Sequence, residues 1–217
     1  MSVDIAQIQE IADRKFLFLS ELPIIKEILT RLENELPSEL LYHNYKHTHS
    51  VLKESILFAL HDNISDRELE LIAIAAAYHD SGFIYQKENN ESICADLARE
   101  AMKKTNQYTE QEITLVAKMI EDTRLFEVDG VFSRYCSSHL SKYLLDADLS
   151  NLGREDFLKR NKLIYQELNM DKKAFAEASI NLLENHTWLS EAGRKLRGEQ
   201  HAKNIKQYTV DVLIENL

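Results

Sequence analysis

The sequence predicts an all-α fold, a helical bundle enclosing a buried metal site, and three observations carry that prediction. Turn formers are scarce, with 5 glycines and 2 prolines in 217 residues, which favours long helices joined by short turns over a sheet of many strands. Apolar residues recur at helical spacing along most of the chain. Four side chains able to ligate a cation, His47, the adjacent His79 and Asp80, and Asp148, are each set in a long apolar helical stretch, so they can converge only where several helices pack around one point. One domain over 1–217 is expected, with a motif-bearing core at about 40–205 and N-terminal helices over 1–36 packing on it.

Residues 4 to 35 carry an amphipathic pattern (Ile5, Ile8, Ile11, then Ile24, Ile25, Ile28, Leu29, Leu32) broken near Pro23, which predicts two helices that lid the core. Pro37 to Asn44 has no period and reads as a connector. From Thr48 to His61, Val51, Leu52, Ser55, Ile56 and Ala59 share one face, a helix whose first turn carries His47. Ser65 or Asp66 can cap the next helix, with acids in its first turn. That helix runs through Leu69, Leu71, Ile72, Ile74 and Ala75-Ala76-Ala77, is apolar nearly all round and should be the central buried one. It ends at Tyr78-His79-Asp80-Ser81-Gly82, with Gly82 as the stop. Further helices are expected at about 90–105, 109–123, 137–150, 154–169, 171–186 and 190–214. Leu125 to Ser137, which contains Gly130, reads as a loop over the site.

Composition narrows the function classes. Hydrophobic residues make up 44% and charged residues 29%, ordinary for a globular chain and against wholesale disorder. A net charge of −10, from 36 acidic and 26 basic side chains, disfavours a general role on duplex nucleic acid or an anionic membrane. A small anion remains compatible, because local charge decides that contact. Cys94 and Cys136 are too few and too far apart for a disulfide framework or a thiolate site, so reduced thiols are expected. Met1 to Glu10 lacks a basic stretch and apolar run, and no window approaches 18 apolar residues, so a cytoplasmic location is expected.

A His-Asp dipeptide arises about once by chance in a chain with 8 histidines, and this chain has two. His61-Asp62 lies at the polar end of a helix, followed by Asn63, where solvation should satisfy it. His79-Asp80 ends an apolar run, where an ionised carboxylate is costly unless paired or bound to a cation. Asp146 and Asp148 are likewise embedded in leucines and would raise each other's pKa without a counter-charge. Residues two apart on a helix diverge by about 200°, so one of them should face the metal. A divalent cation held there would lower the pKa of a water and clamp an anionic substrate oxygen, the chemistry of a hydrolase.

These residues carry a resemblance. His47, His79-Asp80 and Asp148 look like the ligand set of the HD-domain phosphohydrolase superfamily, an all-helical bundle around a buried mononuclear or dinuclear metal centre. Tyr42-His43-Asn44, with His47 four residues after His43, resembles the cyclic-nucleotide phosphodiesterases, in which the first His protonates the leaving oxygen and the second binds metal. Ala147-Asp148-Leu149-Ser150-Asn151 is similar to the string that supplies their last ligand, which implies Asp148 as ligand and Asp146 as a supporting residue one layer behind. The layout as a whole, with Asn90-Glu91-Ser92 and the late His186, looks closer to small uncharacterised bacterial HD proteins. The resemblance covers roughly residues 40 to 205.

The resemblance implies one divalent ion (Mn, Fe, Co, Ni, Zn or Mg) on His47, His79, Asp80 and Asp148, since such donors suit most first-row ions. His43 is the general acid, an imidazole one helical turn from His47. Asp80 or Glu91 is the base, the competing reading of Glu91 being a first-turn acid favoured by the helix dipole. Lys118 and Arg124 are read as phosphate contacts, and His186 and Lys203 as reaching phosphate or base, against a solvated-face reading for each. His49 falls on another face, and Trp188 either stacks on a base or sits in the core. The expected activity is hydrolysis of a phosphate ester of a nucleotide or related small molecule. A phosphodiesterase is the alternative, although Ser81-Gly82-Phe83-Ile84 lacks the further His those enzymes place after the pair. A sensor that binds metal and nucleotide without turnover comes next. A di-iron oxygenase ranks last, because His139 is the only histidine between the pair and Asp148. A homodimer is the base-rate expectation.

Overall fold

A computed structural model describes residues 5–215; positions 1–4 and 216–217, which the expected domain and the expected start of the first helix include, lie outside the described residues. The described chain is mostly helical. Helices α1 (Ile5–Ser20) and α2 (Pro23–Glu35) meet at the break near Pro23, where proline in the first turn costs no hydrogen bond. They pack on α3 (Tyr45–His61) and α4 (Asp66–Tyr78). Then come α5 (Asn90–Thr105), α6 (Glu110–Glu121), α7 (Ser141–Asp148), α8 (Phe157–Leu168), α9 (Lys172–Asn185) and α10 (Glu191–Glu215).

Helix α4 is the buried axis. The Ser65 hydroxyl accepts from Glu68 N and the Glu68 carboxylate accepts from Ser65 N, a reciprocal cap that fixes its start. Ala73, Ala75, Ala76 and Ala77 have no exposed surface, and with no side chain beyond Cβ they let α2, α3, α5, α6 and α7 approach from all sides. Ala75→Leu should therefore overpack the centre. About 1–3 kcal/mol of lost stability is expected, seen as a lower urea midpoint at unchanged slope.

Two expectations are corrected. The stretch 125–137 is not all loop: β1 (Phe126–Val128) and β2 (Val131–Ser133) pair antiparallel, with Asp129 and Gly130 at φ +51° and +79° making the two-residue turn. Such a turn needs left-handed backbone at both positions, which Asp tolerates and Gly favours. Second, Gly82 does not end α4. It lies in a 3-10 turn, Ser81–Ile84, where a Cβ would sit 2.4 Å from the Asn90 backbone oxygen. Glycine is needed there because the start of α5 presses on the turn that follows Asp80.

Buried side chains from Ile8 to Ala192 form one apolar cluster, and Leu152, Phe157 and Leu183 form a smaller second one beneath α10. Both cysteines are free thiols. Among the described residues no helix is long and apolar enough to cross a membrane.

Candidate metal centre

Helices α3, α4 and α7 deliver the cluster. Asn44 caps α3, its side chain accepting from Lys46 N and its carbonyl from His47 N, which fixes His47 in the first turn. His79 and Asp80 follow the last residue of α4, and Asp148 is the last residue of α7. The His79 Nδ1 lies 2.8 Å from the Ala76 carbonyl, which can only accept, so Nδ1 carries hydrogen and Nε2 faces the cluster.

His47 Nε2 lies 3.4 Å from His79 Nε2, 3.2 Å from Asp148 Oδ1 and 3.4 Å from Asp80 Oδ2. His79 Nε2 lies 3.2 Å from Asp80 Oδ2 and 3.6 Å from Asp148 Oδ1. Neighbouring donors around an ion at 2.0–2.2 Å are separated by about 3 to 3.6 Å. Two imidazole nitrogens facing each other and two carboxylates need positive charge between them, either a proton or a cation. Asp80 Oδ2 is buried without a hydrogen bond, an orphan that a cation would satisfy. The buried group His47, His79 and Asp80 could hold a metal ion, and Asp148 stands within reach of both its imidazoles.

The electrostatics call for positive charge at the cluster. Burial holds the His47 imidazole below its usual pKa, which keeps its lone pair free. Burial also pulls His79 down, but the Asp80 and Asp148 carboxylates override it and hold it well above. Asp148 and Asp80 are disfavoured as anions by burial, yet the imidazoles keep both below the ordinary carboxylate range.

A cavity of about 400 Å³ opens off the cluster, lined at that end by Asp80, Asp148, His43, Tyr42 and Glu91. His43 Nδ1 makes a short hydrogen bond to Glu167 on α8, whose second oxygen accepts from Tyr42 N (2.7 Å) and His43 N (3.0 Å). Burial pulls the His43 imidazole down, and Glu167 together with the nearby Asp80 overrides it, leaving it above its usual value. Glu167 was not foreseen. It lies 124 residues from His43, and nothing in Tyr165-Gln166-Glu167-Leu168 sets it apart from a surface acid. Glu91 lines the cavity and pairs with Arg124 at 3.4 Å.

Other expected residues lie elsewhere. Asp146 does not stand behind the cluster: its carboxylate accepts from Leu189 N, Ser190 N and the Ser190 hydroxyl, because a residue two positions from Asp148 points to the far side of α7. Gly193 packs on it so closely that a Cβ would lie 2.4 Å from Asp146 Oδ2. Arg124 reaches the rim through Glu91 and Ser92 without lining the cavity. Lys118 lines a separate groove with Glu121 and Asp122, and Lys203 pairs with Glu199 at 2.7 Å on the surface. His186 is half-buried edge-on to Trp188, and burial of its ring pushes it down to about 3, so it offers an anion no charge. Trp188 is therefore a core residue beside His186 and His201. His49 packs on Phe16 and Tyr45. The second pair, His61-Asp62, is satisfied by protein instead of solvent: its side chains are 12% and 14% exposed, and Asp62 accepts from the Tyr143 hydroxyl and pairs with Lys142.

No protein-family model matches this chain, and no curated protein matches it.

Proposed function

We propose that this chain is an HD-type metal-dependent phosphohydrolase that cleaves a phosphate ester of a small organic molecule, with His47, His79, Asp80 and Asp148 holding one divalent cation. The observation that supports it most is that each of two buried imidazoles lies within 3.6 Å of both the Asp80 and the Asp148 carboxylate, at one end of a cavity. When bound, a divalent cation there supplies charge for a phosphate oxygen and makes water a better nucleophile.

The chain's own residues supply the rest. His43, whose pKa Glu167 helps to hold above its usual value, would give a proton to the departing alkoxide oxygen. Glu167 positions that imidazole through three contacts, one to the ring and two to the backbone of Tyr42 and His43. Glu91, on the cavity wall, would take a proton from the attacking water, with Asp80, also on that wall, as the alternative base. The Tyr42 ring packs 4.7 Å from that of His47 and shields it.

Metal loading is the test, in two readouts. Protein stripped with a chelator and reloaded should take up about one divalent ion per chain and melt higher. At a free metal concentration of 100 times Kd the gain is about 2.7 kcal/mol, roughly 5–10 °C for a chain of this length. The same loaded protein should release phosphate from a panel of phosphomonoesters and nucleotides, and the stripped protein should not. Two irons per chain, or metal uptake with no hydrolysis of any ester, would count against the proposal.

A further inference from the structure

The cavity that begins at the His–Asp cluster changes character away from it. Helix α8 presents Phe157, Ile164 and Leu168 to it, α9 presents Phe175 and Leu182, and the hairpin presents Phe132. No lysine or arginine is among its described lining residues. Arg124 at the rim is committed to Glu91 and Ser92. Arg154 and Arg160, on neighbouring turns, are committed to Glu54 and Asp156.

Polar groups in the apolar part are few and matched to one another. Asn161 on α8 and Ser179 on α9 contact each other at 3.4 and 3.5 Å. The two buried polar atoms of the lining without a hydrogen bond are Asp80 Oδ2 and Asn151 Oδ1. One belongs to the cluster and the other to the turn three residues after Asp148, so the unmet polarity lies with residues of the head-group end.

A single phosphoryl head can be met at the His–Asp cluster, but no lysine or arginine lines the described cavity further along to meet a second or third one, and an anion taken from water without a partner is strongly disfavoured. A cavity of about 400 Å³ is within the range of sites that bury a small organic ligand through apolar contacts and a few polar groups.

We propose that the substrate is an amphipathic phosphomonoester, a single phosphoryl head at the His–Asp cluster joined to an apolar alkyl or aryl body lying between α8, α9 and the hairpin, and not a nucleoside polyphosphate. This deepens the phosphohydrolase reading and rests on it. The chemistry balances as ordinary hydrolysis: water oxygen forms a bond to phosphorus, the phosphorus–oxygen ester bond breaks, and the alcohol leaves with a proton.

The experiment titrates butyl-, hexyl- and octylphosphonate, which cannot be hydrolysed, into metal-free and metal-loaded protein by calorimetry. Each added methylene that enters the apolar part should tighten binding about fourfold, in both forms. Ala178→Phe, which fills the α9 side of the cavity, should flatten that slope. Should that variant fail to fold by circular dichroism, Phe132→Ser on the half-buried hairpin lowers the slope instead. In parallel, loaded protein should hydrolyse octyl and 2-naphthyl phosphate at least about tenfold faster, by kcat/KM, than ethyl phosphate or ATP.

A flat length series in both forms, or a preference for ATP over octyl phosphate, overturns the proposal while leaving metal-dependent hydrolysis standing. A length slope with no metal-dependent hydrolysis of any ester overturns the phosphohydrolase reading, a failure that the calorimetry tells apart from the first.

Discussion

Asp148→Ala is expected to empty the metal centre while leaving the fold in place. The carboxylate is within 3.2 Å of His47 Nε2 and 3.6 Å of His79 Nε2, so its loss removes the only acid that reaches the cluster from α7. Bound metal after gel filtration should fall from about one ion per chain to background. Hydrolysis should fall by at least about 10³-fold, since a cation's charge stabilisation at a phosphoryl group is worth several kcal/mol. The fold should hold because Asp148 ends α7, is partly exposed, and Ala is compatible with helix. Asp146→Ala separates the two roles of this acidic pair. Removing its carboxylate strands the Leu189 donor and the two buried Ser190 donors, which should cost about 1–3 kcal/mol of stability with metal affinity retained. An Asp148→Ala protein that kept its metal and its rate would sink the ligand assignment, and so would an Asp146→Ala protein that lost metal without losing stability.

That pair also shows how far the sequence could be read. Helical period decided that two carboxylates in the leucine-rich string Leu144 to Leu149 could not face the same way, and the structure puts them on opposite sides of α7. The burial of His79 and Asp80 followed in the same way from the apolar run before them, and a cap at Ser65 or Asp66 from the residue types there, of which the structure uses Ser65. These features are local, written within one or two helical turns. The start of α10 that Asp146 clasps lies more than 40 residues on, so α7 alone gave no reason to assign it a structural partner. Glu167 was hidden for the same reason: its partner is on the far side of the chain, and a surface-looking acid on an amphipathic helix becomes buried only once α8 lies against the Tyr42–His43 turn. The basic residues failed for the opposite reason. Lys118, Lys203 and Arg124 each stand beside an acid that neutralises or borders them, and in a chain with an excess of acids such pairing is the common fate of a surface cation. The hairpin at 126–133 was missed because strands of three residues are too short to show an alternation.

His43→Ala should lower kcat by about 10²–10⁴-fold, the range for loss of a positioned general acid, with metal content unchanged. The leaving group gives the diagnostic. An alkyl phosphate expels a strongly basic alkoxide and needs the proton, whereas p-nitrophenyl phosphate expels a stable phenolate and does not, so the loss should be severe for the first and slight for the second. Glu167→Gln tests the residue behind it. With the carboxylate gone, the imidazole loses the contact that holds its pKa above the usual value. Activity carried by a protonated acid is lost as pH rises through that pKa, so the alkaline limb of kcat/KM should move to lower pH in Glu167→Gln and disappear in His43→Ala. A merely structural role for Glu167 would leave the limb where it is, because the donors of Tyr42 N and His43 N could still be met by the amide oxygen of glutamine. Equal losses for alkyl and nitrophenyl esters in His43→Ala would mean that the imidazole orients substrate and carries no proton to the leaving oxygen.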